Sequence, residues 1–218
     1  MKKINVLFCL LLIFTITISI GKPQRIAAKE QDLQVESRYV TVYSLKDKSA
    51  IYELKAHEQM YPASLTKIMT TLVAIEHIDD LHKEILLRKD IFEGLAEEGA
   101  SVAGYDIDDK AELLDLLYGT MLPSGADAAR AIAKHVAGSE EAFVKLMNDR
   151  AEQMKLEHTH FTNTTGLHHD DHYSTTADMA KILEIALENK AFYEIFTADD
   201  FTSADGKMHF VNTKNSIL

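Results

Sequence analysis

The chain has 218 residues, 46% of them hydrophobic, a formal net charge of −11 and a single cysteine. That apolar share suffices for a globular core, and the negative charge argues against nucleic-acid binding, because phosphates would be repelled. Cys9 lies in an N-terminal apolar run, so the rest of the chain holds neither a disulfide nor a thiol nucleophile.

Lys2 and Lys3 precede an uncharged apolar stretch from Val6 to Ile20, followed by Gly21 and the small pair Ala27-Ala28. This pattern predicts a secretory signal peptide over residues 1–21, with cleavage as late as 28. The apolar run is short for a membrane-spanning helix. The expected protein is therefore exported, to the outer face of the cytoplasmic membrane or the cell wall, and its folded part is expected over 29–218.

Tyr39–Tyr43 and Ala50–Leu54 are β-branched and aromatic, and the turn Lys46–Ser49 joins them as a hairpin. Next comes Tyr61-Pro62-Ala63-Ser64-Leu65-Thr66-Lys67-Ile68-Met69-Thr70. Pro62 fixes the approach to a helix. That helix is apolar almost all round, which predicts a buried central element. Ser64 and Lys67 are three residues apart and share a helix face. A serine hydroxyl needs a base to become a nucleophile, and a desolvated lysine can serve as one. On spacing alone, Ser-x-x-Lys reads first as a capped helix with a surface lysine, and it is Pro62, the apolar helix and a second serine element after a proline that turn the reading towards catalysis.

Residues 80–110 read as irregular, broken by Gly94, Gly99 and Gly104. Asp108 or Asp109 is expected to cap a helix that carries Leu113 to Leu117 and stops near Gly119. Met121-Leu122-Pro123-Ser124-Gly125 is a tight connection into a helix from Ala126 to Val136. Taken alone, Ser124 reads as a helix cap. Ser139 is expected to cap a further helix through Met154, and Thr175 or Thr176 another through Ala186. Asp205-Gly206 predicts a late hairpin between Phe201–Ser203 and Met208–Val211. Strands open the chain, helices fill it and strands return, which predicts an α+β fold with a sheet closed by both ends.

His158, His160, His168, His169, Asp170, Asp171 and His172 crowd one segment, but their spacing fits no zinc motif. Asp106, Asp108 and Asp109 suggest a calcium loop, yet Ala111 occupies the position that needs glycine. No metal and no organic cofactor is expected.

Ser-x-x-Lys followed by a second serine element is part of the signature of penicillin-binding proteins and class A β-lactamases. The flanking blocks Leu116-Leu117-Tyr118-Gly119, Leu122-Pro123-Ser124-Gly125, Asn163-Thr164-Thr165-Gly166-Leu167, His172-Tyr173-Ser174-Thr175 and Asp178-Met179-Ala180 occur in family order. Together they resemble the low-molecular-mass penicillin-binding proteins, the serine-type D-alanyl-D-alanine carboxypeptidases of peptidase family S11, from about residue 36 to the end. The resemblance implies a helical cluster packed on an antiparallel sheet, the fold of serine β-lactamases and penicillin-binding transpeptidases. It also implies that Ser64 attacks the carbonyl between two D-alanines of a peptidoglycan pentapeptide, that Lys67 takes its proton, and that Ser124 relays one to the leaving D-alanine. The Ser64 N–H would be one oxyanion donor. β-Lactams would acylate Ser64 as substrate mimics, and membrane association is left open.

Two departures accompany the resemblance. Ala126 stands where the family's Ser-x-Asn element places a substrate-binding amide, an exchange worth about ten- to a thousandfold in rate if nothing replaces it. No Lys-Thr-Gly or Lys-Ser-Gly occurs in the 218 residues, so the sequence reads as a C-terminally truncated catalytic domain, with an incomplete sheet and little turnover on its own. The alternatives are a catalytically impaired, penicillin- or wall-binding remnant of the family, or a β-lactamase-like hydrolase. The latter lacks a Glu-x-x-Leu-Asn element to supply a deacylating carboxylate.

Overall fold

The computed structural model describes residues 35–212. The expected signal peptide and the segment Thr213–Leu218 lie outside those residues. The first hairpin pairs β1 (Val40–Ser44) with β2 (Ser49–Leu54), antiparallel, with a register irregularity at Val42/Tyr43. A 3-10 turn, Ala63–Leu65, leads into α1 (Thr66–His77), in which every residue from Thr66 to Ala74 is buried. Such a helix has no solvent face, so it must sit among other elements. It packs on the five helices that follow: α2 (Leu113–Met121), α3 (Ala126–Ala137), α4 (Glu140–Gln153), α5 (Thr176–Leu187) and α6 (Lys190–Thr197). Its Met69 and Leu72 share one buried core with Leu117, Ile132, Phe143 and Met147 of the surrounding helices. Burying each such side chain stabilises the fold by roughly 1.5–3 kcal/mol.

Side-chain caps start three of the six helices among the described residues. Ser139, Thr175 and Asn189 accept hydrogen bonds from the amides of Ala142, Asp178 and Phe192 and start α4, α5 and α6. α3 ends on Gly138 in the left-handed region, φ +83°, where a side chain would be strained. α2 departs from the sequence reading. Asp109 closes the turn before it by accepting from Asp106 N at 2.7 Å, and β4 (Lys110–Glu112) then pairs with β3 (Glu84–Leu86). The segment expected to be irregular thus contains a short sheet, and α2 starts without a side-chain cap. α2 also runs past Gly119 to Met121. That glycine lets Ala103, Phe210 and Ala128 approach the helix, since an added Cβ would lie 3.2–3.4 Å from all three.

The late hairpin joins β5 (Asp200–Thr202) to β6 (His209–Val211). Among the described residues the strands form three separate two-stranded sheets, and β1–β2 is not joined to β5–β6. The architecture is the expected α+β arrangement with an incomplete sheet.

Candidate functional site

Ser64 is exposed at the centre of the 3-10 turn, whereas Lys67, one turn on, is 3% exposed. The hydroxyl therefore faces solvent and the amine lies inside, the setting expected for a serine with an internal base. Ala63, just before the serine, is held at φ +48°, a left-handed conformation uncommon for a residue with a side chain. Strain of this kind persists only where surrounding contacts impose it, and here the segment Asn163–Gly166 does so. A Cβ on Gly166 (φ +81°) would fall 1.8 Å from the Ala63 carbonyl oxygen and 3.0 Å from the Ser64 nitrogen. Only glycine permits the two backbones to lie that close.

The same segment holds the lysine. Asn163 Oδ1 accepts from Thr165 N, Thr165 Oγ1 and Gly166 N at 3.1, 3.1 and 2.7 Å, an Asx-type turn that fixes the local backbone. The Thr165 carbonyl then accepts a 2.7 Å hydrogen bond from Lys67 Nζ, and the Thr164 carbonyl accepts one of 2.8 Å from Thr70 Oγ1. Glu140 braces the turn from α4 by accepting from both Thr164 N (2.9 Å) and Thr164 Oγ1 (2.7 Å). Its second oxygen lies 3.2 Å from Arg130 Nε on α3.

Ser124 sits in the turn between α2 and α3 at φ +64°, and its buried hydroxyl oxygen has no hydrogen-bond partner among the described residues. It therefore does not cap α3, whose N-cap position is Gly125. Gly125 allows residues 101–105 to cross this turn, because a Cβ there would lie 2.6 Å from Ala103 Cβ and 2.7 Å from Gly119 O. Asp127, fully buried, accepts from the amides of Ala103, Gly104 and Tyr105 at 2.7, 3.1 and 3.3 Å and anchors that crossing. Ala126 opens α3, is 1% exposed, and contributes only a methyl group and an amide that donates to Ser101 O at 2.8 Å. Ser64 and Lys67 thus share one turn and Ser124 stands at the head of α3, which packs on α1.

His172 does not join a metal site. It is 2% exposed and turned inward, with Nδ1 accepting from Thr162 N at 3.1 Å and Nε2 lying 2.7 Å from Thr66 Oγ1. Burial, with His160 and His169 nearby, lowers its pKa from the usual 6.5 to about 4, so it is neutral at pH 7. His160 is bonded to the Asp171 carbonyl, and among the described residues no three His, Cys, Asp or Glu side chains converge as a cation site. Composition and periodicity gave Asn163, Gly166, Asp127 and His172 no role. Asn163 and Gly166 stood out only in a family-like block, and His172 in such a block and in the histidine-rich cluster.

Residues 25–218 match the family model described as D-alanyl-D-alanine carboxypeptidase, peptidase S11. The chain is 31% identical over 192 residues to the D-alanyl-D-alanine carboxypeptidase DacF of Bacillus subtilis, covering 87% of this chain and 49% of that protein. It is 32% identical over 162 residues to the D-alanyl-D-alanine carboxypeptidase of Streptomyces sp. strain K15, covering 71% of this chain and 56% of that one. The chain thus spans about half the length of the curated relatives it matches. Among solved structures it resembles the Streptomyces K15 DD-transpeptidase (TM-score 0.72, 26% identity, 81% of this chain and 72% of that chain). It also resembles penicillin-binding protein 5 of Haemophilus influenzae (TM-score 0.74, 27% identity, 82% and 53%).

Proposed function

The chain belongs to the D-alanyl-D-alanine carboxypeptidase family, and from that premise we propose that it carries the nucleophilic half of a serine-type D-Ala-D-Ala carboxypeptidase. The observation that carries this reading is the exposed Ser64 hydroxyl one turn from a buried Lys67 amine that is anchored on the Thr165 carbonyl at 2.7 Å. In the proposed reaction Ser64 Oγ bonds to the carbonyl carbon of the penultimate D-alanine, and its proton passes to the Lys67 amine. The peptide oxygen takes the negative charge beside the Ser64 N–H. The C–N bond then breaks, the terminal D-alanine leaves with a proton relayed through Ser124, and water cleaves the ester on Ser64.

The substrate class that follows is a peptidoglycan stem peptide ending in D-Ala-D-Ala. β-Lactams are the corresponding covalent inhibitors, because ring opening leaves the same ester. A cell-wall substrate and the leader read in residues 1–21 support an exported protein at the outer face of the cytoplasmic membrane or in the cell wall. A labelled penicillin tests the reading. A covalent adduct mapping to Ser64 and absent from Ser64→Ala is the expected result. An adduct elsewhere, or none in the unmutated protein, would overturn it.

A further inference from the structure

The turn that carries Ser64 and the helix that carries Lys67 meet at Thr66. Its N–H donates back to the carbonyls of Ala63 and Ser64, and its own carbonyl accepts from Thr70 Oγ1 at 3.4 Å. The helix N-cap position is Leu65, which offers no side-chain acceptor to the first turn. Helix starts of this kind need outside partners to fix their geometry. The Thr66 hydroxyl, fully buried, has one in His172 Nε2 at 2.7 Å.

The imidazole is itself immobilised. His160 and Tyr173 exchange backbone hydrogen bonds of 2.9 and 3.0 Å, Met60 and Ser174 exchange a pair of 2.8 and 2.9 Å, and His172 N donates to His169 O at 2.9 Å. Both bridges follow His172 directly in sequence, and Phe161 is set edge-on against the ring. The Thr162 N–H can only donate, so Nδ1 must be the acceptor. The neutral ring therefore carries its hydrogen on Nε2 and donates it to Thr66 Oγ1.

We infer that His172 is a positioning residue for the nucleophile. Through the Nε2–H to Thr66 Oγ1 hydrogen bond it sets the junction between the Ser64 turn and the Lys67 helix, and so the approach of hydroxyl and amine. The inference deepens the proposed function and rests on it for what the pair does, but not for the geometry of the junction. A small misplacement of reacting groups is costly in rate even when the fold survives.

Two substitutions separate this role from a merely structural one. His172→Gln places an amide N–H where Nε2–H stands and gives up the bond from Thr162. His172→Asn places an amide oxygen where Nδ1 stands and gives up the bond to Thr66. The measurements are the second-order rate of Ser64 acylation by a labelled penicillin, and the NMR titration of the 13Cε-labelled Lys67 amine, which needs no acylation. Loss of the Thr66 bond in His172→Asn slows acylation about tenfold and shifts the Lys67 titration, while His172→Gln stays within about threefold with Lys67 unmoved. Thr66→Val removes the acceptor with His172 in place and gives the Asn phenotype, and adding His172→Asn to it costs little more. Equal effects of Gln and Asn, the reverse order, or additive losses in the double variant would overturn the inference. If the unmutated protein forms no adduct, the reading of Ser64 fails, and the Lys67 titration alone decides the role of His172.

Discussion

Gly166 is the residue with least freedom to change. A Cβ would overlap the Ala63 carbonyl at 1.8 Å, and φ +81° is strained for any side chain. Gly166→Ala is expected to lower stability by at least ~2 kcal/mol and to depress penicillin acylation further than the fall in melting temperature accounts for. Denaturant melts run alongside acylation rates check this. His172 makes a pH prediction with a definite sign. Its pKa is about 4 in the fold and near 6.5 when exposed, so between those values the unfolded chain binds the extra proton. The stability supplied by the neutral ring is complete above about pH 6.5 and is lost as pH falls towards about 4. The drop in melting temperature from pH 7 to 4.5 should therefore be smaller in His172→Gln than in the unmutated protein. Ser64 and Lys67 were legible because their chemistry is local, with two side chains one turn apart. Gly166 and His172 were not, because they act on residues about a hundred positions away in sequence, and no periodicity encodes that meeting.

At the scale of elements, the site is assembled from turns held against a rigid helix. α1 supplies the rigidity, and its sequence, apolar almost all round, foretold burial among other elements. Its partners were visible as caps, which is why α4 and α5 begin at the expected Ser139 and Thr175. The β3–β4 pair escaped because each strand is three residues long, too short for alternation to register, and glycine breakers surround it. The crossing of residues 101–105 over the Ser124 turn hangs on Asp127. Asp127→Ala strips three backbone amides of a buried acceptor and should cost about 3 kcal/mol. Hydrogen exchange should show the amides of Ala103, Gly104 and Tyr105 losing protection first, while those of α1 keep it. Uniform loss across both would show that the crossing is not a separate anchor.

At the scale of the whole molecule, α+β order was readable from strands at both ends of a helical middle, but pairing was not. The two end hairpins form separate sheets among the described residues, since sequence order alone does not say which strand edges meet. What unites the described residues is that helices α2 to α6 surround α1, so that its N-terminal turn can present a hydroxyl outward while keeping an amine within. In the proposed reaction this buried amine removes the proton from Ser64. The most direct measurement is the second-order rate constant for penicillin acylation of Ser64 in Lys67→Ala against the unmutated protein, both shown to be folded. A fall of about a hundredfold or more is expected; a rate in Lys67→Ala close to that of the unmutated protein would remove Lys67 as the base.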